Sequence, residues 1–211
     1  LFEKYTKEGY EVVHLGFTAK LSSSFQNAVL AAGELEGVFP VDTKSLCTGM
    51  ALLVIKACEM RDAGLPAKEI AEQIALLREK VHTTFILNTL DYLSRGGRCS
   101  AVTAFGANLL SIKPSIEMVD GALEVGKKYR GKIETVYGQY IRDQLSDPDK
   151  LDLSRAFLSH SGGGISEETL QAMKKEILRC APFQEVQIIR AGCTISAHCG
   201  PKTATVMFME K

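Results

Sequence analysis

Residues 10–33 read Y-E-V-V-H-L-G-F-T-A-K-L-S-S-S-F-Q-N-A-V-L-A-A-G. Residues 10–15 form a short apolar run of strand length. Residues 25–33 carry apolar side chains at helical spacing and stop at Gly33. Between them lie Thr18, Ser22, Ser23 and Ser24, where a strand ends and the free N–H groups of a helix begin. One serine is enough to cap a helix; three serines and a threonine predict a ligand-binding loop.

Working outward, residues 38–41 read as a second strand, which Asp42 and Thr43 end. Residues 46–63 read as a helix closed by Gly64, and residues 67–82 as a further helix opened by Pro66. Alternating short strands and helices predict an α/β unit with a mainly parallel sheet, in which ligands sit at the carboxyl ends of strands. That is where the serine loop falls. Residues 83–87 read as a third strand and residues 89–94 as a helical turn.

Residues 94–98, S-R-G-G-R, place a diglycine between two guanidinium groups. Without a Cβ the backbone N–H groups approach an anion closely, and Arg98 supplies a fork of donors matched to a carboxylate or phosphate. The same five residues also read as a plain helix C-cap with solvated arginines. An apolar segment with Phe105, Leu109, Leu110 and Ile112 follows, with residues 101–110 read as a short helix. A cationic clamp beside an apolar surface predicts a ligand with an anionic head and a hydrophobic body.

Residues 112–119 and 122–129 alternate about Asp120-Gly121, a strong two-residue hairpin signal. A helix over 131–145, a strand over 156–160, a glycine turn at 162–164, a helix from Ser166 to about Cys180, and strands over 185–190 and 203–209 complete the chain. The expected organisation is therefore α/β in the first part, 1–82, and a separate α+β domain with a mixed sheet over 83–211. His198, ahead of Gly200-Pro201, is expected in a fixed loop as a hydrogen-bond or proton donor to an anion. His160, before the glycines, is a second such candidate.

The chain has 211 residues, 45% of them apolar, with 25 Lys plus Arg against 25 Asp plus Glu. That length supports a sizeable core, and the balance of charge does not favour a general nucleic-acid or membrane-surface binder. Six cysteines fall at irregular positions with no C-x-x-C pair, which favours reduced thiols and a cytoplasmic protein. Cys193, His198 and Cys199 have no second cluster to complete a metal site, so no metal and no cofactor are expected. No apolar run is long enough to span a membrane. The chain opens on Leu1 with a helix end running into a strand, and the expectation is that an N-terminal portion precedes it.

Taken in order, these segments resemble the DegV family of fatty-acid-binding proteins, the acyl-carrier subunits of bacterial fatty acid kinase. Residues 21–28, L-S-S-S-F-Q-N-A, are similar to the family's L-S-G-T-Y-Q-S-A loop. Asp42-Thr43 with Cys47 and Gly49 resembles its D-S-x-x-x-S-x-G segment. Residues 90–98 match its L-x-Y-L-x-x-G-G-R, and Lys113-Pro114 and His198-x-Gly200-Pro201 match its K-P and H-x-G-P.

The resemblance implies a two-domain protein that holds one long-chain fatty acid between its domains. It would be no enzyme by itself, and would present the carboxylate to a separate ATP-dependent kinase that makes an acyl phosphate. It assigns Ser22, Arg98 and His198 to the head group, with Ser23, Ser24, Thr18, Gly97 and Gly200 in the same loops. The tail contacts Phe105, Leu109, Leu110 and Ile112 come from the apolar pattern and not from a motif. The alternative is an enzyme acting on a small phosphorylated metabolite or ester, with Ser22 as nucleophile and His198 as acid–base, although no G-x-S-x-G elbow is present.

Overall fold

The computed structural model of the chain describes residues 1–98 and 112–211. They divide into two compact units, Leu1–Val81 with Asp120–Ala122, and His82–Val119 with Leu123–Lys211. The fold is α/β, with a parallel sheet in the first unit and a mixed sheet in the second.

In the first unit, strands β1 (Val12–Gly16) and β2 (Val38–Asp42) run parallel, with Val12 opposite Val38 and Gly16 opposite Asp42. Parallel neighbours need a crossover, and helix α2 (Ser24–Ala32) supplies it. Helix α1 (Phe2–Lys7) precedes β1, while α3 (Cys47–Asp62) and α4 (Ala67–Leu77) cover the sheet. Helix α4 buries Ile70, Ala71 and Ile74 and exposes Glu69, Glu72 and Gln73, the stripe its period predicts. Leu53 of α3 and Ile74 are wholly buried. Burying a side chain of that size contributes about 1.5–3 kcal/mol.

Helix α4 is shorter than its sequence pattern predicts. It stops at Leu77, a 3-10 turn covers Arg78–Lys80, and Val81–His82 already form a strand, β3. The Arg78 guanidinium donates to Asp42 O at 2.8 Å, which draws the chain back toward the end of β2.

In the second unit, β4 (Thr84–Ile86), β5 (Ile112–Val119), β6 (Ala122–Arg130), β7 (Leu151–His160), β8 (Glu185–Arg190) and β9 (Ala204–Glu210) lie in the order β6-β5-β4-β9-β7-β8, with β3 paired to β9. The hairpin of β5 and β6 turns on Asp120 and Gly121, both at positive φ as a type I′ turn requires. Strands β7 and β8 are parallel, joined by helix α7 (Glu167–Cys180), whose Ser166 cap accepts from Thr169 N at 3.2 Å. Strand β9 is buried from Ala204 to Met209, which explains why its sequence reads as an apolar run without alternation.

Helix α6 (Ile133–Gln144) buries Ile133, Val136, Tyr137, Tyr140 and Ile141 against this sheet. Its phenols are satisfied. Tyr140 Oη meets Thr84 Oγ1 at 2.6 Å, and Tyr137 Oη donates to Lys202 O at 2.7 Å. Burial pushes the Tyr140 hydroxyl up to about 12, so it stays protonated. The His82 ring stacks on Phe208 at 4.7 Å, with Nε2 at 2.7 Å from Gln144 Oε1.

Two expectations for this unit change. Strand β7 starts at Leu151, five residues before the predicted start, with a register shift between Leu151 and Ala156. Its first half escaped the pattern because Asp152, Ser154 and Arg155 interrupt it, and Asp152 folds its carboxylate onto Ser154 N at 2.9 Å. The segment ahead of Gly200 is also not a loop: Cys193–Cys199 form a short helix, α8, with His198 in its last turn. The predicted helix over 101–110 lies outside the described residues.

Candidate functional site

Two groups of donors stand at element ends, one in each unit. In the first unit the chain leaves β1 through Thr18 and enters α2 at Ser24. Thr18 is fully buried. Its backbone N donates to Ser45 O at 3.2 Å, and its Oγ1 donates to Gly121 O at 2.7 Å. The Asp42 carboxylate closes the same loop from β2, accepting from Lys44 N at 2.8 Å and from Ala19 N at 3.3 Å. Thr43 donates from Oγ1 to Gly16 O at 2.7 Å. The sequence reading gives Asp42 only as the end of a strand and part of the D-S-like segment; its place at that strand end is the signal for its role in closing the loop.

Held in this way, the loop presents Ser22, Ser23 and Ser24. Ser22 is half-buried; Ser23 and Ser24 are exposed. Ser22 Oγ donates to Ser24 Oγ at 3.1 Å and accepts from Ser24 N at 3.2 Å. Among the described residues no imidazole or carboxylate hydrogen-bonds to Ser22, so its hydroxyl stands as a hydrogen-bond donor and acceptor without an activating base. Lys44 joins the turn to the loop through Asp120 at 2.5 Å and Glu79 at 2.9 Å, and those bonds, Asp120 first, raise its pKa.

In the second unit, helix α5 (Asp91–Gly96) ends on Gly97 in the left-handed conformation, with Gly97 N donating to Ser94 O at 3.1 Å. The cap predicted from S-R-G-G-R is therefore present. It coexists with an exposed Arg98 whose Nη1 donates to Gly96 O at 2.8 Å. Helix α8 packs on α5 and brings His198, half-buried, against Gly96. Arg98, Gly97 and His198, separated by a hundred residues of sequence, are thereby brought to one place.

Gly200 is buried, its nitrogen bonded to Ser196 O at 2.9 Å and its carbonyl to Ser161 Oγ at 2.6 Å. The Lys113 ammonium donates to Asn88 O, three residues ahead of α5 in the chain, at 2.7 Å, and burial lowers its pKa. His160 uses Nδ1 to accept from Gly162 N at 3.1 Å, and burial, then Arg190, holds its pKa down. It serves as a neutral brace for the glycine turn. Ile112 is half-buried at the start of β5, whereas Phe105, Leu109 and Leu110 lie outside the described residues.

Among the described residues, no His, Cys, Asp and Glu side chains form a group that could hold a metal ion, and no helix is long and apolar enough to cross a membrane.

The family model described as "Uncharacterised protein, DegV family" matches residues 1–211. A DegV domain-containing protein of Clostridium acetobutylicum is 30% identical over 216 residues, covering 100% of this chain and 74% of its own. A Thermus thermophilus DegV family protein, solved for its fatty acid binding, has a TM-score of 0.85 at 27% identity over 100% of this chain and 74% of its own. A DegV lipid binding protein of Thermotoga maritima has a TM-score of 0.83 at 25% identity over 99% of this chain and 72% of its own.

Proposed function

The chain belongs to the DegV family, and from that premise we propose that it binds a long-chain fatty acid and presents the carboxylate to a separate ATP-dependent kinase, which forms an acyl phosphate. The observation that carries this reading is the meeting of Arg98 and His198 at Gly96. A guanidinium and an imidazole at one helix end are the donors a carboxylate withdrawn from water requires. The Thermus and Thermotoga proteins, fatty-acid-binding and lipid-binding in their own right, support the ligand class.

Ser22, with Ser23 and Ser24, adds hydroxyl donors, while Thr18 spends its proton on Gly121 O and acts by holding the loop. Gly97 contributes backbone approach. Ile112 with Phe105, Leu109 and Leu110 receives the tail, each buried methylene contributing about 0.8 kcal/mol. Arg98 is exposed, which suits a head group that a kinase must reach. The chain itself is a carrier without catalysis, and a partner that uses ATP fits a cytoplasmic protein, as does a cysteine pattern that favours reduced thiols.

Mass spectrometry tests the reading. Protein purified without added lipid, or incubated with oleate, is weighed under native and then denaturing conditions. A stoichiometric mass difference equal to a fatty acid is expected; a folded chain that stays empty in both preparations overturns the proposal.

A further inference from the structure

Helices α5 and α8 meet through two glycines, and each glycine receives a ring from the opposite side. A Cβ added to Gly96 would lie 2.2 Å from His198 Nδ1 and 2.9 Å from its Cε1; one added to Gly200 would lie 2.3 Å from Tyr92 Cδ2. No ordinary side-chain carbon approaches that closely. The two contacts are reciprocal: α5 gives Tyr92 to Gly200, just past α8, and α8 gives His198 to Gly96, the last residue of α5.

The residues of α5 divide the work. Leu93 is buried, at 2% exposure, and anchors the helix, whereas Tyr92 remains 40% exposed and sets its ring against Gly200. Gly96 does two jobs at once, taking His198 beside its Cα and accepting from Arg98 on its carbonyl. A histidine ring has a soft terminal torsion, so a neighbour must decide which of its nitrogens faces a ligand. Here Nδ1 and Cε1 lie against Gly96, and Nε2 is the nitrogen left for hydrogen bonding.

We infer that Tyr92 is a positioning residue: by packing on Gly200 it seats α8 so that His198 turns Nδ1 onto Gly96 and offers Nε2 to the ligand's carboxylate. The ligand's identity rests on the function proposed above, but the geometry does not.

The test reads the His198 side-chain nitrogen resonances by NMR in the ligand-free protein, and oleate affinity separately. Tyr92→Phe keeps the ring and is expected to leave both unchanged. Tyr92→Ala is expected to move the His198 resonances and weaken oleate binding about tenfold, the scale of one misdirected hydrogen bond to a charged acceptor. Gly96→Ala, which displaces the imidazole from the other side, is expected to move the same resonances. If Tyr92→Ala does not fold by circular dichroism, Tyr92→Leu, with bulk but no flat ring, gives the same two readings. Unchanged His198 resonances in the folded variant overturn the inference, whatever happens to affinity. If no form binds oleate, the proposed function fails while the resonances still decide the role of Tyr92.

Discussion

In the first unit, the loop carrying the serines is shaped by polar bonds: Thr18 to Gly121 O, Thr43 to Gly16 O, and the Asp42 carboxylate to Ala19 N and Lys44 N. In the second unit, the group carrying His198 is shaped by volume, with rings set on Gly96 and Gly200. Hydrogen bonds fix direction but tolerate small changes of side-chain size. Steric contact with glycine tolerates none. The two groups should therefore fail differently: the serine loop on losing a hydroxyl, the packing of α5 on α8 on gaining a methyl group.

The largest effect is expected from Gly200→Val. Gly200 has φ 75° and ψ 178°, a region open essentially to glycine alone, and the new side chain would enter the Tyr92 ring. A loss of about 3 kcal/mol or more in urea unfolding is expected; a loss below about 1 kcal/mol would dissolve the contrast between the two groups.

Arg98→Ala comes next and acts on binding alone. Removing a charge-assisted donor is expected to weaken oleate binding by about 2 kcal/mol, or roughly thirtyfold. The guanidinium is exposed, so the melting temperature should hold. Equal affinity in titration calorimetry would exclude Arg98 from the head group.

Thr18→Val probes the polar loop. It leaves the Gly121 carbonyl without its donor in a buried place, at a cost of about 1–2 kcal/mol, and Thr18→Ser should restore most of it. A Ser variant as unstable as the Val one would mean that the methyl group, and not the hydroxyl, holds the loop.

The smallest effect is ionic. Bonds from Arg179 and then Arg142 draw the Glu176 carboxyl down to about 2 and tie α7 to α6. A depressed carboxylate stabilises fully above its unfolded pKa and loses that contribution as pH falls toward the folded value. Glu176→Gln should therefore be less stable than the parent by about 0.5–1 kcal/mol at neutral pH and equal to it near pH 2. A difference that persists in acid would assign the effect to packing.

Local chemistry made most elements readable. Asp120-Gly121 named its hairpin, Ser166 its helix start, and the apolar period of α4 its buried face. The errors occurred where a tertiary bond overrode the pattern. Arg78 reaching Asp42 O cut α4 short, and the Asp152–Ser154 contact disguised half of β7. Helix α8 is too short to show a period, and β-branched Thr194 and Ile195 in it favour other conformations. At the candidate site, the placing of donors beside glycines at residues 96–98 and 198–200 was legible because those residues are neighbours in the chain. The Tyr92–Gly200 and His198–Gly96 contacts were not, because nothing in either segment says which distant glycine a ring will cover.

The turn at Asp120–Ala122 belongs to the unit whose other residues end at Val81. The bond from Thr18 to Gly121 closes a span of 103 residues. On a ribosome, the first unit therefore emerges early and stays unfinished until the hairpin is made. Residues 1–81 expressed alone would leave Thr18 without its acceptor and Lys44 without Asp120. Closing so long a loop is slow compared with forming local helices, so the serine loop should take its final shape late in folding, after α3 and α4 have formed.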